Sequence, residues 1–188
     1  MPHRTGSGRQ GFSLVELAVG ATIAAGIVLT VLRFMTAHLE LWETSSTQSQ
    51  LRSQLQHTMN QVTRELQQAT RAATTIPPDL NVPAAPGNTQ VTFFLPTAQV
   101  IDAVGDTQWN LNNPVQYQFV PAVNQLQRVD AVGTRVLGTE VVSVTFDDQD
   151  TDATLLTDEV RMTLVLQRTT AYNRLVTMSD STTVKLRN

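Results

Sequence analysis

The 188 residues amount to about one domain, and a hydrophobic content of 41% excludes whole-chain disorder. Only 15% of the residues are charged, against about 25% in an average soluble domain, so part of the chain is expected to sit outside water. A net charge of −3 argues against a sequence-independent nucleic-acid binder, and the absence of cysteine excludes a disulfide framework, a thiolate metal site and a cysteine nucleophile.

The chain opens on a short basic stretch, Met1 to Gly11, which carries Arg4 and Arg9 and no acid. From Phe12 to Leu32 there follow 21 residues in which Glu16 is the one charge. A helix of that length spans about 30 Å, the thickness of a bilayer core. Arg33 closes the run, and no further Lys or Arg occurs until Arg52. Basic residues before the span and few after it predict a cytoplasmic N-terminus and an exported bulk. The run exceeds the roughly 7 to 15 residues of a secretory h-region, and no A-x-A-type site follows it directly, so the segment reads as an anchor that stays in the membrane.

Helical character continues past the membrane run. Leu51, Leu55, Met59, Val62, Leu66, Ala69 and Ala73 recur three or four residues apart, forming one apolar stripe on a helix. No proline occurs between Phe12 and Ile76, and Pro77-Pro78 supplies a stop. The spacing predicts one helix to about Thr75, with a bend or frayed turn over the poor helix formers of Thr44 to Ser49.

Beyond Pro78 the composition changes. Asp79 to Gln90 reads as a loop. Strands are predicted at Val91 to Leu95, Val115 to Val120, Gln125 to Val129, Val141 to Phe146, Val160 to Gln167 and Leu175 to Leu186, the last broken near Ser179-Asp180. The alternation of Val160, Met162, Leu164 and Leu166 with Arg161 and Thr163 marks a half-buried antiparallel strand. The expected fold is α+β, one long N-terminal helix packed on an antiparallel sheet head. Its parts are 1–11 as leader, 12–35 as membrane half of the helix, 36–76 as amphipathic half and 77–188 as head.

Gly11-Phe-Ser-Leu-Val-Glu-Leu17, after a basic leader and at the head of an apolar helix, resembles the prepilin signal of type IV pilins and type II secretion pseudopilins. That resemblance implies cleavage by a membrane prepilin peptidase after Gly11 and methylation of the new N-terminus at Phe12. It also implies a role for Glu16. A carboxylate within a membrane helix costs about 2.5 to 3.5 kcal/mol on insertion scales, and in the family it pairs with the N-terminal ammonium of a neighbouring subunit. Glu16 would then be an assembly residue and Phe12 its target. The competing expectation is a tolerated Glu near the membrane edge that snorkels to the headgroups.

In the head, Val115-Gln-Tyr117-Gln-Phe119, Leu126-Gln-Arg128 and a Val-rich strand ending at Phe146 look like the J-type minor pseudopilin, a pattern that W-type minor pilins share. Arg64-Glu65-Leu66 and Thr183 to Asn188 also fit. The resemblance implies a pseudopilus or pilus subunit whose partners are other minor and major pilins or pseudopilins and an inner-membrane assembly platform. In the absence of direct binding, Tyr117, Phe119 and Arg128 are ordinary sheet packing and a strand-end charge. Trp42 is an interfacial anchor, a subunit contact or a helix-packing residue.

Asp148, Asp150 and Asp152, with Glu159 at the twelfth position, resemble an EF-hand loop, whose oxygen ligands would take Ca²⁺. Ala153 stands where that loop needs Gly, and the flanks read as strands, so a solvated acidic hairpin is the alternative. No other cofactor is implied. Beyond Pro78 there are 12 acids and 7 bases, so nucleic-acid binding by the head is not expected. No nucleophile with a base, Gly-rich phosphate loop or His cluster points to an enzyme.

Overall fold

A computed structural model describes residues 13–69, 88–101, 107–109 and 112–186. Gly11, Phe12, Ala73, Pro77-Pro78 and most of the expected loop at 79–90 lie outside the described residues.

The chain forms an α+β fold. Among the described residues, helix α1 (Leu14–Leu66) is followed by nine strands: β1 (Gln90–Phe93), β2 (Pro96–Ile101), β3 (Thr107–Trp109), β4 (Val115–Val120), β5 (Gln125–Asp130), β6 (Gly133–Gly138), β7 (Val141–Asp147), β8 (Glu159–Thr169) and β9 (Leu175–Lys185). All pairings are antiparallel, in the orders β1-β4-β5-β6, β2-β3 and β7-β8-β9. Two compact units divide the chain, Met1–Glu43 and Thr44–Asn188.

Thr44 to Ser49 stays helical, so the expected frayed turn is absent there. At its C-terminal end α1 stops earlier than expected. The Gln67 amide still bonds the Thr63 carbonyl four residues back, but Gln68 and Ala69 bond only three back, to Glu65 and Leu66. That tightened turn uses up terminal carbonyls that a helix end leaves orphaned.

The second unit holds the core. Leu51, Leu55, Met59, Val62, Leu66 and Ala69 are buried together with Val91, Phe93, Val115, Tyr117, Leu126, Val144, Phe146 and the inward set of β8. The stripe on the helix therefore does cover the sheets. Val160, Met162, Leu164 and Leu166 are each fully buried, the alternation that a one-sided strand requires. Phe93 and Tyr117 stack with centroids 5.6 Å apart.

The sheets of β1 and β7 join through short bonds. The Phe146 backbone amide donates to the Asn88 backbone carbonyl at 2.8 Å, and the Asn88 side-chain Nδ2 donates to Asp147 Oδ1 at 2.9 Å. Strand β9 runs without the expected break, because Ser179 and Asp180 pair in register with Val165 and Leu164. Backbone bonds hold the ladder there, and both polar side chains are exposed. Strands β2, β3 and β6 were not expected.

Candidate membrane and assembly site

The first described turn of α1 carries Ser13 to Glu16, part of the segment expected to be a processing signal. Ser13 caps the helix: its Oγ accepts from the Val15 amide at 3.3 Å, and the Ser13 amide donates to Glu16 Oε2 at 3.1 Å. The bond to Glu16 is the Glu half of a capping box, with Glu three residues past the capping Ser, while the Ser hydroxyl takes the amide one residue earlier, that of Val15. Glu16 thus has a partner inside its own chain, and its negative charge sits in the first turn where the helix dipole favours it. The spacing Ser13-x-x-Glu16 carries that signal in the sequence, and reasoning from the charge alone passed over it. Gly11 and Phe12, the expected cleavage and methylation positions, lie outside the described residues.

The rest of the first unit is a helix with its apolar side chains turned out. Leu17, Val19, Ile23, Ile27, Val28, Leu29 and Leu32 are all at least half exposed. The segment is long and apolar enough to cross a membrane, and none of its most apolar window is buried. Its hydroxyls are satisfied internally: Thr22 donates to the Ala18 carbonyl and Thr30 to Gly26, both at 2.8 Å, and Thr36 to Arg33 at 2.9 Å. Polar groups bonded within the helix are what a hydrocarbon environment tolerates.

In the second unit, polar residues of α1 tie it to the head. Gln54 donates to the Thr139 carbonyl at 2.8 Å, and Thr58 to the Leu137 carbonyl at 3.2 Å. Arg168 bonds Gln50 at 2.7 Å and also pairs with Glu140. Gly138 lies against the helix at this point. A Cβ there would meet Thr58 Oγ1 at 3.3 Å.

Arg128 donates to Glu65 at 2.9 Å and also pairs with Asp130. It is therefore more than a strand-end charge, because it links β5 to the last turn of α1. Burial opposes the guanidinium charge, yet the bonds to Glu65 and then Asp130 push its pKa upward. The bond from Arg128 is also the leading reason that Asp130 is held below the usual carboxylate range. Tyr117 is fully buried in the core, and its hydroxyl has no hydrogen-bond partner among the described residues. Burial, then the nearby Glu65 charge, pushes that phenol far up.

The acidic segment after β7 folds into consecutive turns. Asp148 is buried, and its Oδ1 accepts from the amides of Asp150 and Thr151. Asp152 accepts from the Thr154 hydroxyl at 2.7 Å and from Arg161 at 2.6 Å. Thr154, then Arg161, holds Asp152 below its ordinary range. Glu159 turns to the Leu156 amide at 3.1 Å. Among the described residues no three His, Asp or Glu side chains form a group that could hold a metal ion. The sequence spacing of Asp148, Asp150, Asp152 and Glu159 sets them close in the chain, and Arg161 supplies a countercharge that spacing alone did not reveal.

No protein-family model, curated protein or solved structure matches this chain.

Proposed function

We propose that the protein is a pilin-like filament subunit, a minor pseudopilin of a type II secretion system. The observation that carries this reading is the Gly11-Phe12 junction, with Glu16 five residues past the Gly, at the head of an apolar helix that leads into an α+β head. On this reading the prepilin peptidase removes Met1 to Gly11 and methylates Phe12. The subunit is then a single-pass protein of the inner membrane with its head outside the cytoplasm. Other pilins or pseudopilins and the inner-membrane assembly platform are its partners. It has no enzymatic role. Helix packing carries assembly, and heterologous contacts repeat from subunit to subunit.

On this reading Glu16 keeps its own cap and also accepts from a neighbour's N-terminal ammonium. A charged carboxylate can accept from both Ser13 and an ammonium, since it has about four lone-pair positions. Two substitutions separate the roles. Glu16→Gln keeps the capping box, in which Gln serves as well as Glu, and removes the charge. Glu16→Ala removes both. Assembly through charge predicts that both variants are processed but fail to co-assemble with partner subunits. Normal co-assembly of Glu16→Gln would reduce Glu16 to a helix cap. Deleting the gene and assaying protein secretion beside surface motility tests the system. Lost secretion supports the pseudopilin, and lost motility with intact secretion would mean a minor pilin that primes or decorates a type IV pilus.

A further inference from the structure

Two turns of α1 belong neither to the apolar run before Arg33 nor to the helix surface buried by the head. Between Phe34 and Trp42 the large side chains stand open: Phe34 is 71% exposed, Leu41 64% and Trp42 70%, with Met35 and Leu39 also more than half exposed. Phe34, His38 and Trp42 follow one another at four-residue steps, and Met35 and Leu39 lie beside them, so five side chains share a face. The Phe34 and His38 rings stack with centroids 6.0 Å apart. The first helix residue buried within the second unit is Thr47. Five large apolar or aromatic side chains on two turns form a contiguous patch of the kind that marks a contact surface.

The dimensions select the occupant. Leu14 to Arg33 matches the hydrocarbon core alone, about 30 Å at about 1.5 Å per residue. Leu14 to Trp42 is about 43 Å, which matches a bilayer of about 40 to 45 Å with its headgroup layers. Ser13 and Glu16 then fall in one headgroup layer and His38 to Trp42 in the other. Arg33, near the outer end of the core, reaches the same outer layer by extending its long side chain. The chemistry agrees, because Trp is enriched at membrane–water interfaces, where its ring is wetted at one edge only. We propose that His38 to Trp42 is an interfacial collar occupied by phospholipid headgroups, with Phe34 and Met35 still against the acyl chains, so that membrane contact ends at Trp42 and not at Arg33. The inference rests on the membrane-crossing reading of α1 and is independent of the pilin-like assignment.

The test uses the full chain in phosphatidylcholine vesicles whose acyl chains carry bromine either close to the glycerol or close to the chain end. Trp42 and Trp109 are the two tryptophans, so Trp109→Phe isolates Trp42. The Trp42→Phe variant gives the same signal by difference from the unaltered chain, without requiring the first variant to fold. The protein should float with the vesicles. Trp42 emission should shift to the blue and be quenched strongly by shallow bromine and weakly by deep bromine. Failure to float would overturn the membrane-crossing reading together with the collar. Flotation with Trp42 emission that is unshifted and open to aqueous iodide would overturn the collar alone. A blue shift without quenching by shallow bromine would also overturn it, because a protein neighbour and not lipid would then cover the ring.

Discussion

Leu29 is 62% exposed and Leu66 is fully buried, although both lie on α1. The first part of the helix turns apolar side chains outward on every side, and the last part gathers them into one stripe beneath the sheets. The two parts share a backbone pattern and, on the membrane-crossing reading, differ in what serves as their apolar solvent. Lipid accepts a helix that is hydrophobic all round, whereas a sheet accepts one face and leaves the others to water. The transition lies where Gln, Ser and Thr replace Ile, Val and Ala, between Trp42 and Leu51.

Truncation breaks the comparison most directly. Leu66→Ala should destabilise the head by about 2 to 5 kcal/mol, the usual cost of a buried Leu cavity. Leu29→Ala should leave the head's melting temperature unchanged in detergent micelles. Equal losses at both positions would mean that the two parts of the helix are packed alike. The link at the end of the stripe comes next. Arg128→Ala strips Glu65 of its partner, and loss of a hydrogen bond between charged groups costs about 1.5 to 3 kcal/mol. Denaturant unfolding reads that loss, and an unchanged midpoint would make Arg128 an ordinary surface charge.

A smaller effect concerns pH. Folding lowers the Asp152 pKa from its ordinary 3.8. The stabilisation it brings is therefore complete above that value and is lost as pH falls through the lower folded one. Thr154 is the leading cause, so Thr154→Val should flatten the acid limb of the stability curve more than Arg161→Gln does. The reverse order would make the ion pair dominant. The smallest expected effect is that of calcium. With Asp152 on Arg161 and Glu159 on a backbone amide, exchanging chelator for Ca²⁺ should leave the melting temperature nearly unchanged. A dose-dependent rise would mean that the loop reorganises around the ion.

Periodicity made the helix stripe and the strands β4, β5, β7 and β8 legible, because burial on one face leaves a period in the chain. Strand β6 escaped because Gly133 and Gly138 bound it and most of its side chains are exposed. Strand β2 begins at Pro96 and β3 has three residues, too little for alternation to register. The break expected in β9 came from treating Ser179-Asp180 as turn residues, although an exposed polar pair can hold its ladder bonds. The Ser13–Glu16 box was readable from its spacing. The ties from Gln50, Gln54, Thr58 and Glu65 to the head were not, since each depends on a partner 63 or more residues away.

The intact mass of the protein extracted from its native membrane tests the central claim most directly. The pilin-like reading predicts a chain that lacks Met1 to Gly11 and carries one methyl group on Phe12. A full-length, unmethylated chain would contradict it and leave a membrane-anchored α+β domain with no filament role.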